Sequence, residues 1–292
     1  MTYAAWILLT ASLVGISCGI VGVFLILRRM AMMADAISHT VLLGIVIAYL
    51  LTNSLSGIHM LIGATIIGIL TTFLVQWLHS KGVQQDASIG VVFTILFALG
   101  VILIATKVGN AHLDVQHALM GEISFIPWET ISVPVLGEIP QATLLLISIL
   151  IVILIVIGLF YKEWKLTTFD PALAASIGIP VLAMHYLFMT LVSVTTVAAF
   201  DAVGAIMVVA MLIAPAASAY LWTDKLHMML VLSAAFGILS SIVGYYFALW
   251  VDTSISGSMA FATGVIFFIS FIISPRHGLI SRWVKPKSVK LS

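Results

Sequence analysis

Asp35 and His39 stand four residues apart in the run RRMAMMADAISHTVLLG, at the mouth of a hydrophobic stretch. On a helix, positions i and i+4 share a face, so the carboxylate and the imidazole fall on adjacent turns, side by side. One oxygen and one nitrogen donor presented together suit a divalent cation. The competing reading is structural: Asp35 caps the inner end of a helix and His39 bonds a neighbouring carbonyl. Asp201 is the third residue of this kind. It is the only Asp, Glu, Lys or Arg from Pro171 to Thr223, more than fifty residues dominated by apolar and small side chains. A carboxylate inside lipid costs several kcal/mol, so such a residue is a functional candidate by default. Gly204, Ala205 and Val208 follow at i+3, i+4 and i+7, predicting a helical face of small neighbours with room for an ion or a second helix. The alternative is a structural carboxylate bonded by Thr195, Thr196 or a broken helix end. Three residues of metal-ligand type in or beside hydrophobic spans point to cation translocation.

Other candidates rank lower. His112, Asp114, His117 and Glu122 fall in a polar stretch and could hand a cation over, although polar loops usually carry such residues idly. Met207 and Met211, with Met30, Met32 and Met33, would suit a soft copper(I) path, but methionine at helical spacing is usually packing. Cys18 is the only cysteine, which excludes a disulfide framework and a cysteine metal cluster. His59, His79, His185 and His227 are single histidines near span ends or on apolar faces, and Asp252 lies in a turn.

The elements that must position these residues are membrane helices. The 292 residues are 62% hydrophobic and 8% charged, with mean hydropathy +1.25, whereas soluble domains carry roughly 25% charged residues. No nucleic-acid patch and no phosphate-binding glycine loop appears, so an ATPase that drives transport is expected on another chain. A helix needs about 20 mostly apolar residues to cross the hydrocarbon core. Candidate spans run over 5–27, 36–53, 58–79, 88–106, 141–161, 179–199, 202–222, 227–250 and 255–274, the second of them short. The MTYAAWILLTASLVG start lacks the basic region of a secretory signal and reads as a first span. With the N-terminus outside, eleven of the twelve Lys and Arg residues fall inside and only Lys107 outside. The positive-inside rule therefore selects nine spans, N-out and C-in, forming a single all-α domain over 1–292.

Two connections are not spans. The outer loop 107–140 is the longest polar stretch and is interrupted by Pro127, Pro134 and Pro140. The inner segment 162–178, KEWKLTTFDPALAASIG, predicts a short capped helix: Thr168 or Asp170 at the cap, Pro171 at the first helical position and Gly178 at the end. It reads equally as a docking surface for a soluble partner or as an ordinary connection. Gly15 with Gly19, and Ala64 with Gly68, have the small-xxx-small spacing that permits close helix packing. Straight spans would leave Asp35 near the inner face and Asp201 near the outer one. Sharing one ion would need discontinuous helices, for which the short second span and Gly204 are the candidates.

Across nearly its whole length the chain resembles the integral membrane permeases of bacterial ABC importers for manganese, zinc and iron. The segments that carry the resemblance are GIVGVFLILRRMAMMADAISHTVLLGI, FDPALAASIGIP, FDAVGAIMVVAMLIAPAASAYL and SISGSMAFATGVIFFISFIISPRHG. It implies a type II importer-like fold, a second permease chain (identical or a sister), a dimer of cytoplasmic ATPases and an external metal-binding protein, all in the cell membrane. It also implies that the segment bearing Phe169, Asp170, Pro171, Ala174 and Gly178 meets the ATPase, and that Asp35 and His39 lie on the metal path. Asp201, just before VGAIMV, points to the manganese-type branch.

The expected function is that of a non-enzymatic permease subunit. Its cargo is manganese, with ferrous iron next, and it holds no permanent cofactor. The rivals are a zinc permease of the same family, a gradient-driven secondary transporter relaying protons, and an intramembrane metal enzyme. The last lacks an HExxH pair.

Overall fold

The computed structural model describes residues 3–52, 57–107, 123–128, 130–133, 137–276 and 278–279. His112, Asp114, His117 and Glu122 lie outside them, as do the last residues of the C-terminal basic cluster. Helices α1 (Tyr3–Leu27), α2 (Ala31–Thr52), α3 (Gly57–Ser80) and α4 (Gln85–Lys107) follow one another in the chain. A 3-10 turn (Ile123–Trp128) and an antiparallel hairpin of β1 (Thr130–Val133) and β2 (Gly137–Pro140), pairing Ile131 with Ile139, form the described part of the outer loop. Then come α5 (Gln141–Leu159), two short helices α6 (Tyr161–Phe169) and α7 (Pro171–Ser176), and α8 (Val181–Val203), α9 (Ala205–Trp222), α10 (Leu226–Val251) and α11 (Ile255–Ile273). Among the described residues, nine helices are long and apolar enough to cross a membrane. They match the nine expected spans with shifts of a few residues at their ends.

The second span is the exception. It starts at Ala31 and runs for 22 residues, so it is neither short nor broken. Its length, about 33 Å at 1.5 Å per residue, is enough to cross the hydrocarbon core and includes Asp35 in the helix. Hydropathy alone treats a carboxylate as a boundary, which is why the sequence placed the start five residues late.

Helix α1 is the hub, packed on α5, α8, α9 and α10. Gly15 and Gly237 approach closely: a Cβ on Gly15 would stand 2.8 Å from the Gly237 backbone, so any larger residue forces the two helices apart. Four residues on, Ser233 donates its hydroxyl to Gly19 O at 2.8 Å, closing a buried polar link of the kind that holds helices together where apolar burial gives no driving force. The outer faces stay apolar. Ile151, Val152, Leu154 and Ile155 of α5 are exposed, as expected for side chains that meet lipid rather than water.

The inner segment holds two short helices where the sequence predicted one. Asp170 caps α7, accepting the Leu173 N–H at 2.9 Å, with Pro171 at the first helical position. Gly178, at φ +88°, ends it. Thr168, the other cap candidate, instead accepts a hydrogen bond from Arg28.

Candidate metal pathway

Asp35 and His39 sit on the second and third turns of α2, about 6 and 12 Å along its axis from Ala31. Their side chains meet, with His39 Nε2 3.5 Å from Asp35 Oδ1; His39 is 34% and Asp35 36% exposed. The pair is thus neither sealed into the core nor free in solvent. The rest of α2 explains its orientation. Ala34, Ala36, Ile37, Ser38 and Thr40 are buried, Ser38 turns its hydroxyl back to Ala34 O, and Thr40 accepts a hydrogen bond from Thr71 of α3 at 3.0 Å. Gly44 lies so close to α3 that an added Cβ would stand 2.5 Å from Ala64 Cα. These contacts occupy one side of α2 and leave Asp35 and His39 on the other.

The imidazole is held from a third helix. The His39 ring stacks on Phe93 of α4 with centroids 5.8 Å apart, and Phe97, one turn further, meets it edge-on at 5.6 Å. Two rings at i and i+4 on α4 therefore box the imidazole and restrict its rotation. Sequence reasoning missed both, because the pairing of α2 with α4 is a tertiary fact. The spacing of Phe93 and Phe97 marks a shared face but not what it faces.

Asp201 does not lie on a face with Gly204, Ala205 and Val208, as the sequence suggested. It occupies the last turn of α8, which ends at Gly204, where φ +80° and ψ 164° reverse the chain into α9. Glycine takes this conformation without the clash a Cβ would bring. The Asp201 side chain is exposed while Ala202 and Val203 beside it are buried. Ser193 marks the depth of the α2 pair, since its side chain lies against Gly68 of α3 where Ile37 also packs. Asp201 lies eight residues beyond Ser193, roughly 12 Å further along α8. The structure brings Asp35 and His39 together and does not add Asp201 to them: among the described residues no three His, Cys, Asp or Glu side chains cluster as a metal site.

The lesser candidates resolve individually. Met33, Met207 and Met211 are fully or almost fully buried, and Met30 nearly so, as packing residues, with only Met32 exposed. His59, His79 and His227 are exposed at helix ends, His79 bonding Val83 O, and His185 packs on Tyr186. Asp252 ends α10 in the left-handed region.

The Asp35–His39 pair, on a frame of nine long apolar helices among the described residues, is the candidate site. The ABC 3 transport family model matches residues 1–274. This chain belongs to the ABC 3 transport family. The manganese transport system membrane protein MntD of Bacillus subtilis is 56% identical over 282 residues, covering 97% of this chain and 96% of that protein. The zinc transport system membrane protein TroD of Treponema pallidum is 42% identical over 286 residues, covering 98% of this chain and 78% of its own. Among solved structures, PsaBC from Streptococcus pneumoniae in complex with Fab is 34% identical with a TM-score of 0.80, covering 97% of this chain and 96% of that one. This ABC 3 member is thus an importer-type permease, a multi-pass transport subunit of the bacterial membrane, as the sequence motifs implied.

Proposed function

We propose that this chain carries manganese(II) inward as the permease subunit of an ATP-driven importer, with Asp35 and His39 as the ligands that receive the ion. The Asp35–His39 geometry carries this reading. Two donors each about 2.1 Å from one ion stand roughly 3–3.5 Å apart, and these two stand 3.5 Å apart. A carboxylate and an imidazole without thiolate form a hard-to-borderline set that suits manganese(II) or iron(II). The 56% identity with a protein named for manganese transport supports the cargo.

Asp201 serves as the third ligand in this scheme. Asp201 reaches the α2 pair only if the end of α8, at the break before Gly204, shifts by roughly 12 Å along its axis relative to α2. The segment 162–178 meets a separate cytoplasmic ATPase dimer, an external binding protein delivers the ion, and a second permease chain completes the channel. Hydrolysis on the ATPase then rearranges the helices so that the ion leaves inward.

The test is radiolabelled manganese uptake, with zinc in parallel, in cells expressing this chain and the ATPase that assembles with it. ATP-dependent manganese uptake is expected. Uptake that collapses with an uncoupler and needs no ATPase would replace the importer with a secondary transporter. The 42% identity with a zinc transport protein makes zinc the second cargo to consider, and zinc uptake without manganese uptake would establish it.

A further inference from the structure

Arg28 lies in the connection 28–30 between α1 and α2, seven residues before Asp35. The connection is tight. The Arg28 N–H bonds Phe24 O at 3.0 Å, Arg29 takes φ +57°, and the Met30 N–H returns to Leu25 O at 2.9 Å. Met30 O then accepts the Met33 N–H at 3.0 Å, so the turn runs into the first turn of α2 without slack. The guanidinium leaves this turn for the inner segment. Its Nε donates to Thr168 Oγ1 at 3.0 Å and its Nη2 to Thr167 Oγ1 at 3.1 Å, both at the end of α6. Its Cζ lies 4.8 Å from the centre of the Phe188 ring on α8. Burial pushes the group down to about 10 from the usual 12.5, which still leaves it cationic at neutral pH.

Trp164 makes the second half of the joint. It is fully buried, although it stands in the polar run KEWK, and meets Phe24 of α1 and Phe188 of α8 edge-on, each at 5.7 Å. One face of α6 is therefore keyed into α1, α8 and the turn that starts α2. On the same inner segment, Phe169, Leu173 and Ile177 are exposed. The segment thus has an anchored side that leads to Asp35 and His39 and an apolar side open to a partner.

We propose that Arg28 is a positioning residue that transmits displacement of α6 to α2, and so to the Asp35–His39 pair. This deepens the importer reading above and rests on it. The choice of acceptors favours a working contact over a static one. Both are neutral hydroxyls rather than carboxylates, so a shift of α6 relative to the turn separates no ion pair. The planar two-nitrogen fork of arginine is also needed to hold both hydroxyls at once, and the single ammonium of a lysine does not reproduce it.

The experiment reconstitutes the full permease–ATPase complex with its binding protein in vesicles and measures manganese(II) imported per ATP hydrolysed. Arg28→Gln is compared with Arg28→Lys and with the double variant Thr167→Val, Thr168→Val, which keeps the cation and removes its acceptors. Arg28→Gln and the double variant are expected to lower the transport-to-hydrolysis ratio at least tenfold while hydrolysis stays within about twofold of the parent. Arg28→Lys is expected to recover only part of the ratio. An unchanged ratio in the double variant overturns the proposal even if Arg28→Gln fails to assemble. Hydrolysis falling in step with transport overturns it too, because Arg28 would then serve ATPase engagement rather than transmission. Failure of the importer reading is distinct, because the parent complex itself would then show no ATP-driven manganese uptake.

Discussion

His39 and Phe93 lie with ring planes 29° apart and centroids 5.8 Å apart, so the stance of the imidazole on α2 is set by an aromatic side chain on α4. With Phe97 edge-on from the next turn, the ring keeps its Nε2 toward Asp35. Aromatic pairs of this kind contribute about 0.5–1.5 kcal/mol beyond their buried area. Phe93→Ala is therefore expected to raise the apparent KM for manganese about three- to tenfold, with the maximal rate little changed. Initial uptake rates across a manganese series check this. An unaltered KM would show that the box does not position the ligand.

Asp35→Ala and His39→Ala are expected to abolish uptake while the complex still assembles. Each removes one of two donors from a pair that is already in contact, and the remaining donor holds a hydrated divalent ion poorly. The control is size-exclusion chromatography of the permease with its ATPase. Normal transport in both variants would remove the assignment of the site.

Asp170 accepts the Leu173 N–H and caps α7. Losing such a cap costs about 1 kcal/mol, which a six-residue helix has little else to offset. Asp170→Ala is expected to loosen α7 and weaken recovery of the ATPase with the permease, whereas Asp170→Asn, which keeps an acceptor, retains most of it. Hydrogen exchange over 171–178 reads the first effect and co-purification the second. Exchange unchanged in the alanine variant would mean that the cap does not hold this helix.

Gly15→Val is expected to be far more damaging than its exposure-free position among small residues suggests. The added side chain meets the Gly237 backbone rather than a movable side chain, and neither helix has room to yield. Overpacking of this kind costs about 1–3 kcal/mol. A drop in the thermal midpoint of the detergent-solubilised protein measures it, and Gly15→Ala should fall between the parent and the valine variant.

The spans were legible because lipid demands long apolar runs, and basic residues on one side gave their order and sense. The α7 cap was legible because Asp170, Pro171 and Gly178 each act within a few residues of themselves. What stayed hidden depends on distance or on a boundary. Asp35 lowers local hydropathy and so pushed the expected start of α2 past itself. Gly204 was recognised as a break, yet spacing could not say on which side of it Asp201 belongs, and the residue went to the wrong helix. Arg28 counted only as a topology charge and Trp164 was not singled out, because the partners that give both their meaning are distant in the chain: Thr167, Thr168 and Phe188 for Arg28, Phe24 and Phe188 for Trp164. The aromatic box around His39 was unreadable for the same reason.

Asp201→Asn separates the cargo from the frame. The asparagine keeps the size of the side chain at the end of α8 and removes the negative charge that a third ligand would supply. If Asp201 joins the ion during the cycle, manganese uptake is expected to fall by at least tenfold, since an amide oxygen is a weaker donor to a divalent cation than a carboxylate. Zinc adds a second arm. It binds nitrogen and oxygen donors more tightly than manganese does, so affinity at Asp35 and His39 alone cannot select manganese. Selection then lies in delivery and in the geometry that closure demands, and zinc is expected to block manganese uptake competitively in the parent. Uptake assays with manganese and zinc together, run on the parent and on Asp201→Asn, test both points. Zinc that does not inhibit would refute selection by closure, and manganese uptake unchanged in Asp201→Asn would leave Asp201 a structural residue at the turn into α9.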